Sequence, residues 1–271
     1  MKFYVLDLGY EKLDKSALVA GCTNAKTYDP EPKAIWQKIP IQAYLIEHPE
    51  GYILFDTGCD PDFKTNWPAF IEEDSPYYVT EEQLLLNRLA QLNVKPEDIK
   101  YVVISHLHVD HAGGLKNFKN ATVYVNDEEF TATVCNYVKG EDLNVHVPCD
   151  IEAFIQAKLK WRTVMPEEKE LELMPGVTLL NFGSGHSWGM LGMKVELENT
   201  GNLLCVADSV YMKDNLYPNI RIPGIIYDSV GYVRTAKFIL DYIKKNNCKL
   251  LYGHDIEQFD TLIKSQDGYY D

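Results

Sequence analysis

Short apolar runs separated by turn residues recur along the whole chain and predict a β-rich protein with interspersed helices. Two hairpins are indicated, one around Pro49-Glu50-Gly51 and one around Asn199-Thr200-Gly201, because each turn joins two apolar runs. The pattern predicts strands over residues 2–8, 40–47, 52–56, 101–104, 122–125, 177–180, 191–197, 202–207 and 249–252.

Three segments have helical rather than strand periodicity. Thr80-Glu81-Glu82-Gln83 is a capping-box pattern, and leucines follow it at helical spacing. Asp127 begins a second helical stretch. Ser229 is the predicted N-cap of a long amphipathic helix that ends near Asn246-Asn247. Its predicted apolar face consists of Val230, Val233, Phe238, Ile239, Tyr242 and Ile243.

Four side chains that commonly bind metals fall within six residues, directly after the predicted strand 101–104. They are His106, His108, Asp110 and His111. Because alternate residues of an extended segment point to opposite sides, the four cannot all hold one ion. We predict that His106 and His108 share one metal and that Asp110 and His111 face a second. A solvated loop that binds nothing is the alternative, and the close spacing after a β-branched strand disfavours it.

Three further candidate ligands also follow predicted strands. His186 lies in a glycine-rich loop, Asp208 follows the strand 202–207, and His254 follows the final strand. Two of the seven histidines remain unassigned. His48 lies beside a turn and is predicted to face solvent, and His146 is interpreted as part of a surface loop unrelated to the metals.

Asp56 closes a strand, where it can either orient a ligand histidine or cap the next turn, and the sequence favours neither. Two loops carry many large apolar side chains. Packing on the core is the favoured interpretation of both, although one or two members could line an apolar pocket. The first loop contains Phe63, Trp67, Phe70, Tyr77 and Tyr78, and the second contains Tyr211, Tyr217, Ile220, Ile222, Ile225, Ile226 and Tyr227.

Composition narrows the classes of partner. The 271 residues carry 40 acidic and 26 basic side chains, a formal charge of -14, which disfavours nucleic acid and anionic membrane surfaces. The apolar start is short and interrupted by charge, so no signal peptide is expected, and no apolar run has the length of a membrane span. The six cysteines have no CxxC spacing, which favours reduced thiols and a cytoplasmic location.

The order strand-HxHxDH, strand-His, strand-Asp, strand-His resembles the metallo-β-lactamase superfamily. Within it, the chain is most similar to the N-acyl homoserine lactonases, through the segments 105–114 and Gly253-His254-Asp255-Ile256-Glu257-Gln258 and through the spacing from Asp208 to Tyr211. The resemblance covers essentially the whole chain. It implies an αββα sandwich, two mixed β-sheets flanked by helices, formed as a single domain over residues 1–271.

The resemblance also implies a mechanism of lactone hydrolysis with two zinc ions, although imidazole and carboxylate ligands suit iron, manganese and cobalt as well. One zinc would be held by His106, His108 and His186, and the other by Asp110, His111 and His254. Asp208 and a hydroxide would bridge the ions, and the hydroxide would attack the lactone carbonyl. Tyr211 would donate a hydrogen bond to the carbonyl oxygen or oxyanion. Asp110 would pass a proton to the departing alkoxide.

The sequence departs from the lactonase pattern at the edge of the expected pocket. The common GHSPGH segment is replaced by Gly185-His186-Ser187-Trp188-Gly189-Met190, without the proline and the second histidine. Val109 stands where a bulkier aromatic residue is often found. Residues 10–37 and 139–160 have no assigned role. These differences leave the acyl-chain preference open.

Three alternatives to this activity remain. The substrate could be another lactone, or the chain could be a thioesterase of the glyoxalase II kind, although the short tail after His254 lacks the basic patch that glutathione requires. An inactive metal-binding protein on the same scaffold is the non-enzymatic alternative, and the complete ligand set argues against it. Exposed apolar loops make a homodimer plausible.

Overall fold

The strands carry apolar side chains on both faces, so that helices can cover one side of each sheet and the other sheet can cover the opposite side. The computed structural model describes residues 1–143 and 145–271; Asn144, within the unassigned segment 139–160, lies outside them. The first sheet has the strand order β4-β1-β2-β3-β5-β6-β7. Its strands are β1 (Lys2–Asp14), β2 (Trp36–His48), β3 (Gly51–Phe55), β4 (Tyr77–Tyr78), β5 (Ile99–Val103), β6 (Thr122–Asn126) and β7 (Lys160–Val164).

The second sheet has the order β12-β11-β10-β9-β8 and is antiparallel except for the parallel pair β11 and β12. Its strands are β8 (Glu170–Met174), β9 (Val177–Gly183), β10 (Met190–Leu197), β11 (Gly201–Cys205) and β12 (Cys248–Leu251). The α-helices are α1 (Lys15–Leu18), α2 (Phe63–Asn66), α3 (Ala69–Asp74), α4 (Leu85–Gln91), α5 (Val109–Ala112), α6 (Asp127–Lys139), α7 (Pro148–Ala157), α8 (Ser229–Asn246) and α9 (Ile256–Thr261).

The central core lies between the two sheets. Phe3 and Val5 of β1 point into it from the first sheet, and Leu191 and Met193 of β10 meet them from the second. The neighbouring residues along each strand point outward, where helices cover them on both outer faces. This arrangement confirms the expected αββα sandwich. Because the two sheets share one core, we propose that residues 1–271 form a single domain.

The sheet topology brings several strand ends to one edge. The strands β3, β5, β6 and β7 run parallel, so their carboxyl ends lie together, and β11 and β12 do the same in the second sheet. In open α/β sheets this is the edge at which ligands bind. The segments that follow β3, β5, β9, β11 and β12 carry the candidate residues of the sequence.

Some predicted boundaries were wrong. The first strand continues to Asp14, well beyond residue 8, and its pairing with β2 shifts in register between Asp7 and Tyr10. The capping box at Thr80 begins a single 3₁₀ turn and not the predicted helix, because the extended backbone of Leu84 separates this turn from α4.

The predicted cap and apolar face of the long helix α8 were also partly wrong. Asp228 rather than Ser229 is the N-cap, since its side chain accepts hydrogen bonds from the N–H groups of Val230 and Gly231. Val230 of the predicted apolar face is 76% exposed. The buried stripe consists instead of Tyr232, Thr235, Ala236, Ile239 and Tyr242.

No helix in residues 1–143 and 145–271 combines the length and apolar character required to cross a bilayer. All six cysteines, which lie in the same ranges, are free thiols.

Candidate metal centre

Four separate segments deliver the candidate ligands to the shared sheet edge. His106 and His108 follow β5, and Asp110 and His111 lie on the short helix α5. His186 comes from the loop between β9 and β10. Asp208 lies in a 3₁₀ turn after β11, and His254 follows β12. All seven side chains predicted from the sequence therefore converge, although they are spread from position 106 to position 254.

Asp208 lies between two groups of histidines. Its Oδ2 is 3.7 Å from Nε2 of His106 and 3.3 Å from Nε2 of His186. Its Oδ1 is 3.4 Å from Nε2 of His111 and 2.9 Å from Nε2 of His254. One carboxylate thus presents a different oxygen to each group, which is the geometry required to bridge two cations.

The remaining ligands complete two separate clusters. Nε2 of His186 is 2.8 Å from Nδ1 of His108, and Oδ2 of Asp110 lies 3.2 Å from His111 and 3.3 Å from His254. Within each cluster the nitrogen and oxygen atoms available for coordination lie within 4.8 Å of one another. The clusters are His106, His108, His186 and Asp208, and Asp110, His111, Asp208 and His254.

Hydrogen bonds to one ring nitrogen orient three of the histidines. Nδ1 of His111 is 2.8 Å from Asp56 Oδ2, Nδ1 of His254 is 2.9 Å from Pro40 O, and Nδ1 of His186 is 3.0 Å from Ile225 O. When Nδ1 donates to these acceptors, Nε2 keeps its lone pair for a metal. Asp56 therefore orients a candidate ligand, the first of its two possible roles.

The backbone near the centre adopts strained conformations. Asp56 has φ 61° and Ala207, directly before Asp208, has φ 43°, a region that residues other than glycine rarely enter. Gly253 precedes His254 and packs closely on this turn. A Cβ atom at Gly253 would lie 2.6 Å from Ala207 O and 2.8 Å from Asp208 Oδ1. Only glycine thus allows Asp208 and His254 to approach.

Several buried polar atoms at the centre fit a metal ion. Nε2 of His106, Nε2 of His111 and Oδ1 of Asp208 are buried and have no hydrogen-bond partner among the described residues. Leaving such atoms unsatisfied is costly, and coordination to a cation would satisfy all three. Nitrogen and carboxylate ligands in these numbers suit a divalent transition metal.

The electrostatics of the site also fit added positive charge. Burial lowers the pKa of His106 and His108, so both stay neutral, as a ligand histidine must be. Burial would also lower the pKa of His254, but Asp208 and Asp110 raise it to about 10, so its ring must release a proton when a metal binds. Burial would raise the pKa of Asp208, but His254 and His111 hold it well below its usual range. The carboxylate of Asp208 is thus ionised and attracts cations.

A cavity of about 390 Å³ opens onto the centre. His108, Asp110, Asp208 and His254 lie at its metal end. Most of the remaining wall is apolar. Leu13, Ala17, Leu18, Trp36 and Ile39 come from β1, β2 and the segment between them, Phe70, Ile71 and Ile225 come from the two apolar loops, and Val145 comes from the segment 139–160. Its size and apolar lining match a pocket for a small organic molecule.

Tyr211 borders both this cavity and the centre. Its hydroxyl lies 3.2 Å from Nδ1 of His186, and its side chain is only 3% exposed. Burial, followed by the charge of Asp208, raises its pKa well above the usual value. The phenol therefore keeps its proton and can donate a hydrogen bond.

His146 is not a surface residue, and the prediction that it belongs to an unrelated loop was wrong. It is 2% exposed, and its ring lies edge-on to that of His108, with 4.5 Å between centroids. Nε2 is 2.8 Å from Glu129 Oε1, and Nδ1 is 2.9 Å from Leu143 O. The ring of Trp188 stacks on it at 4.3 Å. Tertiary packing, which a single sequence does not reveal, brings His146 beside the centre.

Glu129 was missed by the sequence analysis. It is fully buried on α6, and its carboxylate accepts hydrogen bonds from the Leu107 N–H, the Ser187 hydroxyl, the Gly189 N–H and His146. These bonds tie together the loop of His106 and His108 and the loop of His186. The available sequence signal for Glu129 was its spacing. It lies four residues before Thr133, and residues four apart share one face of a helix, here the face toward the core.

Comparison with known proteins gives consistent results. Residues 37–128 match the model of the metallo-beta-lactamase superfamily. The chain is 40% identical over 273 residues to the N-acyl homoserine lactonase AiiB of Agrobacterium fabrum, covering 100% of this chain and 99% of that protein. It is 30% identical to the N-acyl homoserine lactonase AiiA of Bacillus thuringiensis subsp. kurstaki, covering 95% and 94%.

Solved structures agree with these relatives. A crystal structure of a single-site mutant of B. thuringiensis AiiA with N-decanoyl-L-homoserine bound at the active site superposes with a TM-score of 0.82 at 28% identity, covering 99% of this chain and 98% of that chain. An N-acyl homoserine lactone hydrolase with the product N-hexanoyl-L-homoserine bound at its catalytic metal centre also gives 0.82, at 27% identity and the same coverage.

Proposed function

The chain belongs to the N-acyl homoserine lactonase family of the metallo-β-lactamase superfamily, and we propose that it opens the lactone ring of N-acyl homoserine lactones, a quorum-quenching activity. The observation that carries the proposal is Asp208, which offers one oxygen to each of two ligand clusters at the end of an apolar cavity. A ring carbonyl at the metal end and an acyl chain along the apolar wall fit this arrangement.

We propose that the divalent metal centre is dinuclear and that both metals are zinc. His106, His108 and His186 would bind the first, and Asp110, His111 and His254 would bind the second, with Asp208 available to both. Divalent cations held there would supply Lewis acidity, which lowers the pKa of water and polarises a lactone carbonyl. The unsatisfied nitrogen and oxygen atoms of the site support this ligand set.

Tyr211 binds the reacting carbonyl in this mechanism. Its phenol remains protonated and faces the cavity, so its O–H donates to the carbonyl oxygen of the substrate. The bond strengthens as negative charge develops on that oxygen during attack, and Tyr211 therefore stabilises the transition state more than the ground state.

Asp110 moves the proton that ring opening requires. Hydrolysis adds a hydroxyl group to the carbonyl carbon and breaks the ring C–O bond, so the departing alkoxide oxygen must gain a proton. Burial would raise the pKa of Asp110, but His111 and His254 lower it, and the carboxylate is ionised before reaction. It can take a proton from the attacking water and return it to the alkoxide.

Acid release from N-hexanoyl homoserine lactone tests the activity. Each opened ring yields one carboxylic acid, so a pH-stat follows turnover directly. Zinc-loaded protein should release acid continuously, whereas a chelated sample should do so only at the spontaneous rate. If the loaded protein releases no acid from this lactone but hydrolyses a thioester, the glyoxalase II alternative would replace the proposal.

A further inference from the structure

The cavity wall contains one buried acid that the mechanism does not use. Glu11 lies on β1, inside the segment to which the sequence assigned no role, and is 4% exposed. It lines the same cavity as Asp110, Tyr211 and His254, while its neighbours on the wall are mainly apolar. The other acids that line the cavity are Asp110 and Asp208 of the centre, Asp14, which caps α1, and the exposed Asp74.

The protein holds Glu11 in position with two donors. The Ser75 hydroxyl donates to Oε2, and the Cys59 thiol lies 3.4 Å from Oε1. A carboxyl group has about four acceptor positions, so these contacts leave capacity for a further donor. Burial, followed by the charge of Asp110, raises the pKa of Glu11 to about 8, which reflects the cost of this buried position. Burying a carboxyl group in an apolar wall is energetically unfavourable unless its oxygens are fully hydrogen-bonded. Its presence therefore indicates that it binds a polar atom of a ligand.

We propose that Glu11 is a specificity residue that accepts a hydrogen bond from the amide N–H of an N-acyl homoserine lactone. This inference rests on the proposed function. The amide nitrogen is attached to the ring carbon next to the lactone carbonyl, so it must lie near the metal end when the carbonyl meets Tyr211. Glu11 lines the same cavity as the residues of its metal end. The apolar wall along which the acyl chain would lie includes Leu18, Trp36 and Phe70. Both protonation states of a carboxyl group retain an oxygen that can accept this bond.

Two variants and two substrates separate recognition from a structural role. Glu11→Leu removes the acceptor, whereas Glu11→Gln keeps one carbonyl oxygen. The substrates are N-hexanoyl homoserine lactone and a γ-alkyl lactone that has no amide. For Glu11→Leu we expect kcat/KM to fall about 10- to 100-fold on the first substrate, the range for a buried amide N–H left without its acceptor. On the amide-free lactone we expect a change of less than about 3-fold, and Glu11→Gln should recover most of the activity.

The outcomes distinguish the two proposals. Equal losses on both substrates would show that Glu11 supports the fold or the centre, and an unchanged kcat/KM of Glu11→Leu on the acyl substrate would also overturn the inference. Metal content and thermal midpoint of each variant provide the control for folding. If the unmodified protein opened neither lactone, the proposed function itself would fail and the role of Glu11 with it.

Discussion

Replacing Glu129 with glutamine should loosen the metal centre without touching a ligand. The two oxygens of Glu129 accept four hydrogen bonds, two each: Leu107 N–H at 2.8 Å and His146 at 2.8 Å on Oε1, and Ser187 hydroxyl at 2.7 Å and Gly189 N–H at 3.1 Å on Oε2. A glutamine amide has one acceptor oxygen and one NH₂ group. In either orientation, one backbone N–H group, that of Leu107 or that of Gly189, would face the NH₂ group and lose its acceptor, whereas the Ser187 hydroxyl and the His146 ring can turn from donor to acceptor.

The size of the effect follows from that lost bond. A hydrogen bond to a charged acceptor contributes about 1.5–3 kcal/mol, so we expect the free energy of unfolding to fall by about that amount. His146 and the other donors already hold the pKa of Glu129 below its usual value against the effect of burial, which indicates that these contacts favour the carboxylate. Loss of partners behind metal ligands typically weakens metal binding by about 10- to 100-fold.

Urea unfolding of the metal-free protein and competition with a chromogenic chelator measure the two effects. Glu128→Gln is the matched control, because Glu128 is the preceding residue of α6 and its side chain is exposed. The control should unfold and bind metal as the unmodified protein does. An unchanged unfolding free energy and metal affinity for Glu129→Gln would refute the reasoning.

Three further substitutions test other parts of the account. His108→Ala should strip most of the bound metal, measured by elemental analysis, and lower turnover more than about 100-fold; retention of two metals and full rate would refute the ligand assignment. Tyr211→Phe should keep the metal but lower kcat about 10²- to 10³-fold, as for loss of an oxyanion donor, and an unchanged rate would leave Tyr211 a packing role. Asp150→Asn should stabilise the protein increasingly as pH rises. Burial and then Asp60 raise the folded pKa of Asp150 from 3.8 to about 8, so its unfavourable ionisation removes stability between these pH values. Urea unfolding should show the advantage of asparagine growing by roughly 3 kcal/mol from pH 5 to pH 8, whereas an equal difference at both pH values would contradict the shift.

Local patterns predicted much of the fold and identified the side chains of the candidate metal centre. Apolar runs located the strands after which His106, His186, Asp208 and His254 occur, because a strand buried on both faces leaves a continuous apolar signature. The αββα sandwich followed from the order of those strands and ligands through the family resemblance. The spacing in the HxHxDH segment indicated two clusters rather than one, and the structure has two clusters.

The residues that the sequence did not predict act through contacts between distant segments. His146 lies 17 positions from Glu129 and meets it only because the chain folds back after α6. Glu11 lies on the same face of β1 as Leu13, but alternation alone could not show that this face borders a cavity. Asp228 displaced Ser229 as the cap of α8 because both residue types are good N-caps and only the backbone geometry chooses between them.

Titration of metal into the stripped protein, with acid release from N-hexanoyl homoserine lactone followed at each step, tests the central claim most directly. The bridging position of Asp208 between two ligand clusters predicts that the rate rises from the spontaneous level and reaches its plateau at two zinc ions per chain. A plateau at one ion per chain would contradict the dinuclear centre. Full activity in the stripped protein would contradict metal-dependent lactone hydrolysis altogether.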